Sequence, residues 1–134
     1  MTETTTYSKS ESIIAAMMAY VGKEIPYKCR LFHCSMFEVR KKYPQLLAEL
    51  DPFNTHPTVP NGDYPFSCNL ETGLAKLKGA HMLVVDEVKE TIKISDEPDA
   101  RKILDKYIMP MFSEKEHAEL KEAAVEWEKY LFQQ

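Results

Sequence analysis

Residues 64–95, YPFSCNLETGLAKLKGAHMLVVDEVKETIKIS, decide how this chain folds. Tyr64-Pro65-Phe66 reads as loop, and Ser67 stands where a helix N-cap belongs, its hydroxyl able to accept an orphan N–H of the first turn. Leu70, Leu74 and Leu77 recur three and four residues apart, which gathers them on one helical face, and Gly79 ends the run. Met82-Leu83-Val84-Val85 and Thr91-Ile92-Lys93-Ile94 flank a turn at Asp86 to Glu90 and predict a two-stranded hairpin. Helix followed directly by hairpin is the back half of a winged helix-turn-helix.

Upstream, Ser8 and Glu11 form a capping box, and Ile13, Met17, Tyr20 and Val21 follow at helical spacing before Gly22. A second helix is predicted to begin near Pro26, a residue suited to a first helical position, and to run to about Tyr43. Phe32, Met36, Val39 and Tyr43 form its buried stripe, and Arg40, Lys41 and Lys42 sit at its end, where cations complement the helix dipole. Pro44 to Leu50, apolar at Leu46, Leu47 and Leu50, predicts a short third helix. From Asp51 to Phe66 come four prolines (Pro52, Pro57, Pro60, Pro65) and the turn pair Asn61-Gly62. A loop of that length inside a compact domain is often functional.

Downstream, Asp96 caps a helix with Pro98 in its first turn, reaching about Ile108 before Pro110 interrupts. Ser113 and Glu116 form a second capping box, opening a helix to the C-terminus. On it Leu120, Ala124, Trp127 and Leu131, with His117, make a seam spaced three and four apart. The expected fold is mainly α with a small β-hairpin: a winged helix-turn-helix with two extra C-terminal helices. It occupies residues 8–134 as a single domain, behind a disordered tail at 1–7.

The chain of 134 residues carries a net charge of −4, so no global basic field recruits nucleic acid or anionic lipid. The charge is uneven: residues 8–50 hold seven Lys/Arg against four Glu, and residues 96–134 hold ten acidic residues against six basic. Three cysteines, Cys29, Cys34 and Cys68, form no disulfide framework and fit a reducing, cytoplasmic setting. The polar N-terminus lacks an apolar signal core, and the longest apolar run, Ile13 to Val21, is too short to span a bilayer, so no membrane association is expected.

Three constellations bear on function. On the helix after Ser67, burial of the three leucines leaves Asn69, Thr72, Gly73, Lys76 and Lys78 on or near the exposed face. In a winged helix that helix enters the major groove and the wing reaches the flanking backbone. Asn69 would pair with adenine, Thr72 and Lys76 with bases or phosphate, and Lys89 and Lys93 of the wing and Arg40, Lys41 and Lys42 of the second helix with phosphates. Against this, residues 67–95 carry four Lys and four Asp/Glu, an electrically neutral surface, whereas phosphate contacts need surplus cation. The second constellation is Cys29, His33 and Cys34. Cys29 and His33 share a helical face while Cys34 points about 100° further round, and no paired ligand spacing follows. Buried reduced cysteines beside a partly exposed histidine are expected in place of a metal site, and no cofactor is implied. Cys68, just inside a helix N-terminus, would have a lowered pKa, but no positioned base or oxyanion donor accompanies it, so the chain is not read as an enzyme. The third constellation is the C-terminal seam, which is either core or the interface of a homodimer.

The phrase formed by Phe53, Tyr64-Pro65-Phe66-Ser67, Leu70, Leu74 and Leu77, followed by Met82-Leu83, Ile103-Leu104 and the helix start Phe112-Ser113-Glu114, resembles the YwgA-like and Panacea (SocA-like) phage-associated winged-helix proteins. The likeness covers about residues 26–130, and the glycine those proteins carry between the tyrosine and the proline is missing here. It implies a winged-helix fold and a role in transcription regulation, as an antitoxin, or in neutralising or escorting another protein. Two functions are therefore expected to compete. One is a DNA-binding transcriptional regulator contacting double-stranded DNA. The other is a non-enzymatic interaction module, antitoxin-like or a phage-encoded inhibitor, that grips a basic protein through its acidic C-terminal helices.

Overall fold

The computed structural model describes residues 7–55 and 63–132. The expected tail therefore lies outside the described residues except for Tyr7, which is buried, and so do Pro57, Pro60 and the Asn61-Gly62 pair.

The first helix, α1 (Lys9–Val21), begins at the expected capping box, with Ser8 Oγ accepting the Glu11 N–H at 3.2 Å and Glu11 reaching back to the Ser8 N–H. It ends at Gly22, whose φ of 70° is the left-handed conformation that favours glycine. Ile13 through Met17 are all fully buried, so α1 is apolar around most of its circumference and runs through the middle of the molecule. It packs against α3 (Cys68–Gly79) on one side and α5 (Glu114–Phe132) on another.

Pro26 does not open the second helix. It lies in a short strand, β1 (Ile25–Pro26), and α2 (Cys29–Lys42) starts three residues later. The expected stripe Phe32, Met36 and Val39 is buried, with Tyr43 packed at its edge, and the three cations fall in the last turn. Instead of a third helix, residues 43–50 form turns and a single 3-10 turn at Ala48–Leu50, still burying Leu46, Leu47 and Leu50.

Two sheets follow. Strands β2 (Phe53–Asn54) and β3 (Phe66–Ser67) pair antiparallel and deliver the chain to the start of α3. Strands β4 (Leu83–Asp86) and β5 (Thr91–Ile94) form the expected hairpin, with Val85 opposite Ile92. β1 lies antiparallel beside β5, giving the order β1-β5-β4. The helix expected from Asp96 is capped at Glu97 instead. Asp96 is turned away to Lys93 and Arg101, and the Glu97 N–H goes to Ser95 Oγ. It runs as α4 (Pro98–Ile103), a π turn at Leu104–Ile108 and a 3-10 turn at Met109–Met111.

The C-terminal helix is no appendage. α5 packs against α1, α2 and β1, and its Trp127 is fully buried, edge-on to Phe32 with ring centroids 5.2 Å apart. The Trp127 indole N–H donates to Ser35 Oγ at 2.9 Å, and that hydroxyl donates to the Phe32 carbonyl at 3.0 Å, so these two polar groups are satisfied within the core.

Candidate functional site

Ser67 begins α3 as expected: its Oγ accepts the Leu70 N–H at 3.0 Å and its hydroxyl donates to the Leu50 carbonyl. Leu70, Leu74 and Leu77 face inward, and Asn69, Thr72, Lys76 and Lys78 are exposed, as the spacing requires. Gly73 is a correction. It is buried at the crossing with α1, where a Cβ would stand 2.7 Å from Ile14 Cδ1. Glycine is there because the helices approach closely, not because the residue faces outward.

The polar groups on this face are already engaged within the chain. The Asn69 side-chain amide donates to the carbonyls of Glu49 and Asp51 at 3.1 and 2.8 Å. Lys78 donates to the Tyr27 hydroxyl at 3.1 Å and lies over its ring, and Lys76 Nζ stands 4.0 Å from Glu11. On the hairpin, Lys89 is 3.9 Å from Glu24 and Lys93 is 3.2 Å from Asp96. On α2, Arg40 meets Asp51 at 2.8 Å, Lys41 meets Glu38 at 3.1 Å and Lys42 meets Glu126 at 2.6 Å. Exposed pairs of this kind add little stability, yet each cancels the local field of its cation. Thr72 alone of the nine residues expected to touch DNA has no such engagement among the described residues.

Beside this face lies a cluster only half visible in the sequence. Cys29 and His33 do share a face of α2, and they meet Tyr64 and Glu71, which arrive from the far side of the proline-rich loop. The exposures are the reverse of those expected: His33 is buried, Cys29 and Cys68 are exposed, and Cys34 is intermediate, its thiol pKa pushed up by partial burial. His33 Nδ1 accepts the Ser67 N–H at 3.1 Å, and its ring stacks on Phe66 with centroids 4.2 Å apart. Nε2 faces Glu71 at 3.5 Å without forming a hydrogen bond, and Cys29 Sγ is 3.1 Å from the Tyr64 hydroxyl.

This arrangement restricts what the neutral imidazole can do. Because Nδ1 is spent as an acceptor from a backbone donor, the neutral ring carries its proton on Nε2. Nε2 then has no lone pair for a metal ion, although Cys29, His33 and Glu71 bring their ligand atoms within 4.8 Å of one another. The same proton prevents Nε2 from acting as a base toward Cys29. The cluster instead ties α2 to the start of α3, and the His33 imidazole holds the Glu71 carboxyl below its ordinary range.

The C-terminal seam is corrected as an interface. Leu120, Ala124, Trp127 and Leu131 are all buried inside the chain and have no surface to offer a second copy. What the C-terminal elements do expose is Tyr107, Met111, Val125 and Phe132, four of the six large apolar side chains left open among the described residues; Val84 and Val88 of the hairpin are the others. No helix among the described residues is long and apolar enough to cross a membrane. No family model matches the chain, and neither the curated proteins nor the solved structures include a match to it.

Proposed function

We propose that this chain is a non-enzymatic interaction module on a winged-helix scaffold, and that it grips a protein in preference to a DNA duplex. The scaffold is supported by the order α1, β1, α2, α3, β4, β5 with β1 laid against β5, which sets the hairpin as a wing behind α3. The connection from α2 to α3 runs from Tyr43 to Ser67, far longer than the three or four residues that join the two helices of a DNA-reading helix-turn-helix.

The observation that carries the preference is the internal engagement of all five candidate DNA-contacting cations on α2 and α3, Arg40, Lys41, Lys42, Lys76 and Lys78. Phosphate contacts supply most of the affinity of DNA binders, and they require cations free to release counterions from the duplex. Here binding DNA through α2 and α3 would first break five contacts of the chain with itself. The C-terminal elements are the better surface. Glu97, Asp99, Asp105, Glu114 and Glu119 have no cationic partner among the described residues, and Glu122 meets only the Tyr43 hydroxyl at 3.5 Å. Uncancelled carboxylates interspersed with exposed Tyr107, Met111 and Val125 suit a basic protein surface carrying apolar side chains.

Two measurements test the reading together. Fluorescence anisotropy with a labelled random duplex at low salt should show no binding. Saturable binding that falls steeply as salt rises restores the DNA-binding regulator as the better account. Affinity capture from the native host's lysate should retain a basic protein, and Glu119→Lys with Glu122→Lys should release it while Lys76→Glu with Lys78→Glu should not. The opposite pattern defeats the proposal.

A further inference from the structure

We propose that the pocket between the end of α1, the β4–β5 hairpin and the start of α4 binds a small ligand carrying a phosphomonoester. Its volume is about 340 Å³, and it is lined by Met18, Ala19 and Gly22 of the α1 end, Lys89, Lys93 and Ile94 of the hairpin, Arg101 of α4, and Lys23, Glu24 and Asp96. Pockets of roughly 300 Å³ and above hold small-molecule ligands.

The electrostatics select the ligand. In a chain of net charge −4, this one pocket collects four cations from separate places in the sequence against two carboxylates. Lys23 is closed off by its ion pair with Glu128, which leaves Lys89, Lys93 and Arg101. Lys93 and Arg101 converge on the same carboxylate, Asp96, at 3.2 and 3.1 Å, so two nitrogens from different elements already reach a common oxyanion position. The Asp96 side chain is 70% exposed and free to swing out, which makes it a displaceable occupant. Lys89 lies 3.9 Å from Glu24, too far for a hydrogen bond, so its donors remain available.

A phosphomonoester is the oxyanion that gains most here. It carries up to two negative charges and three acceptor oxygens, where Asp96 has one charge and two oxygens, and a guanidinium with two ammonium groups can engage them together. The rest of the pocket is Met18, Ala19 and Ile94, with no side chain at Gly22, which leaves room for a flat or apolar body attached to the phosphate. This chemistry occurs in free nucleotides and at the 5′ end of a nucleic acid strand, and the two sources are separable by experiment. The site is independent of the protein-binding reading above.

The test is an amide chemical-shift titration of the full chain with AMP, adenosine, inorganic phosphate, and a short oligonucleotide with and without a 5′-phosphate. AMP should give saturable shifts at Gly22, Lys93 and Arg101 that adenosine does not, and inorganic phosphate should compete. Arg101→Gln and Lys93→Gln should each weaken AMP about tenfold or more, as expected for losing a charge-assisted contact. Asp96→Asn should tighten it, whereas Glu49→Gln, which removes the same charge at the 3-10 turn outside this pocket, should not. Lys41→Gln, a charge change on α2 beside Glu38 and Phe37, which do not line this pocket, should leave AMP affinity unaltered. Tighter binding of the 5′-phosphorylated strand than of AMP would name the nucleic-acid end as the source, and the reverse would name a free nucleotide. Absence of saturable shifts with both AMP and inorganic phosphate in the folded wild-type protein overturns the proposal. Equal affinities in wild type, Arg101→Gln and Lys93→Gln overturn it too.

Discussion

His33 and Gly73 show how much of the molecule rests on single residues away from its surface. Replacing His33 by alanine removes the side-chain acceptor of the Ser67 N–H, a group drawn into a buried setting, together with the ring stacked on Phe66. Leaving one buried donor unsatisfied costs about 1–3 kcal/mol. His33→Ala should therefore lower the urea unfolding free energy by at least that range, and a loss within error of zero would show the cluster to be incidental. At Gly73 the physics is steric. Any Cβ meets Ile14 Cδ1 at 2.7 Å, and Ile14 is itself fully buried and has little room to move. Gly73→Val adds branched bulk at that crossing and should cost about 1–3 kcal/mol, the usual cost of overpacking, read as a lowered melting temperature. A more stable Gly73→Val protein would mean that α1 and α3 can slide apart, contrary to the close approach argued above.

At the scale of elements, the helices with their own start signals were legible in the sequence. Both capping boxes formed: Ser113 Oγ accepts the Glu116 N–H at 3.1 Å, and Glu116 accepts the Ser113 N–H at 2.9 Å. The second box makes a prediction about acid. The Ser113 N–H, aided by Lys9, holds the Glu116 carboxyl below its ordinary value of 4.5. A carboxyl lowered by folding contributes stability that is complete above its unfolded pKa and disappears as pH falls through its folded one. The stability difference between wild type and Glu116→Gln should thus be largest near neutral pH and shrink below about pH 4.5, measured as urea midpoints across that window. A difference that is flat with pH would detach Glu116 from the cap. Other elements were illegible for physical reasons. The strands β1, β2 and β3 are two residues each, and pairs such as Ile25 with Ile92 or Phe53 with Ser67 leave no periodicity to read. Pro26 fits a helix start and a strand edge equally well by its fixed φ, and only the distant β5 decides between them. The candidate site divides likewise. The i, i+4 relation of Cys29 and His33 was visible, whereas Glu71, Tyr64 and Phe66 join them only through tertiary folding. Helical phase placed Asn69, Thr72, Lys76 and Lys78 on the exposed face of α3, but the partners of the expected contacts, such as Glu126 for Lys42, lie up to 84 residues away.

At the scale of the whole molecule, the seam on α5 carries the argument, because the same spacing serves a core helix and a dimer helix equally. Its burial within one chain makes α5 part of the folding unit. Phe32 of α2 lies against Trp127, and α1 is covered by α5 along with α3, so removing α5 would uncover the middle of the core. Burying a large apolar side chain is worth about 1.5–3 kcal/mol, and the three on α5, Leu120, Trp127 and Leu131, together reach the range of a typical domain's whole net stability. A chain ending at Phe112 should therefore show no cooperative unfolding transition. In the intact chain, fluorescence of Trp127, the one tryptophan, should report on the same event as far-UV circular dichroism. Both signals should give one urea midpoint, because the indole touches α2 and belongs to α5 while the helices dominate the dichroism. If the chain ending at Phe112 kept a cooperative transition, or if the fluorescence moved at lower urea than the dichroism, α5 would be a separately melting appendage. Its acidic, partly apolar surface would then belong to a tail, and the rigid face offered above to a basic partner would be lost with it.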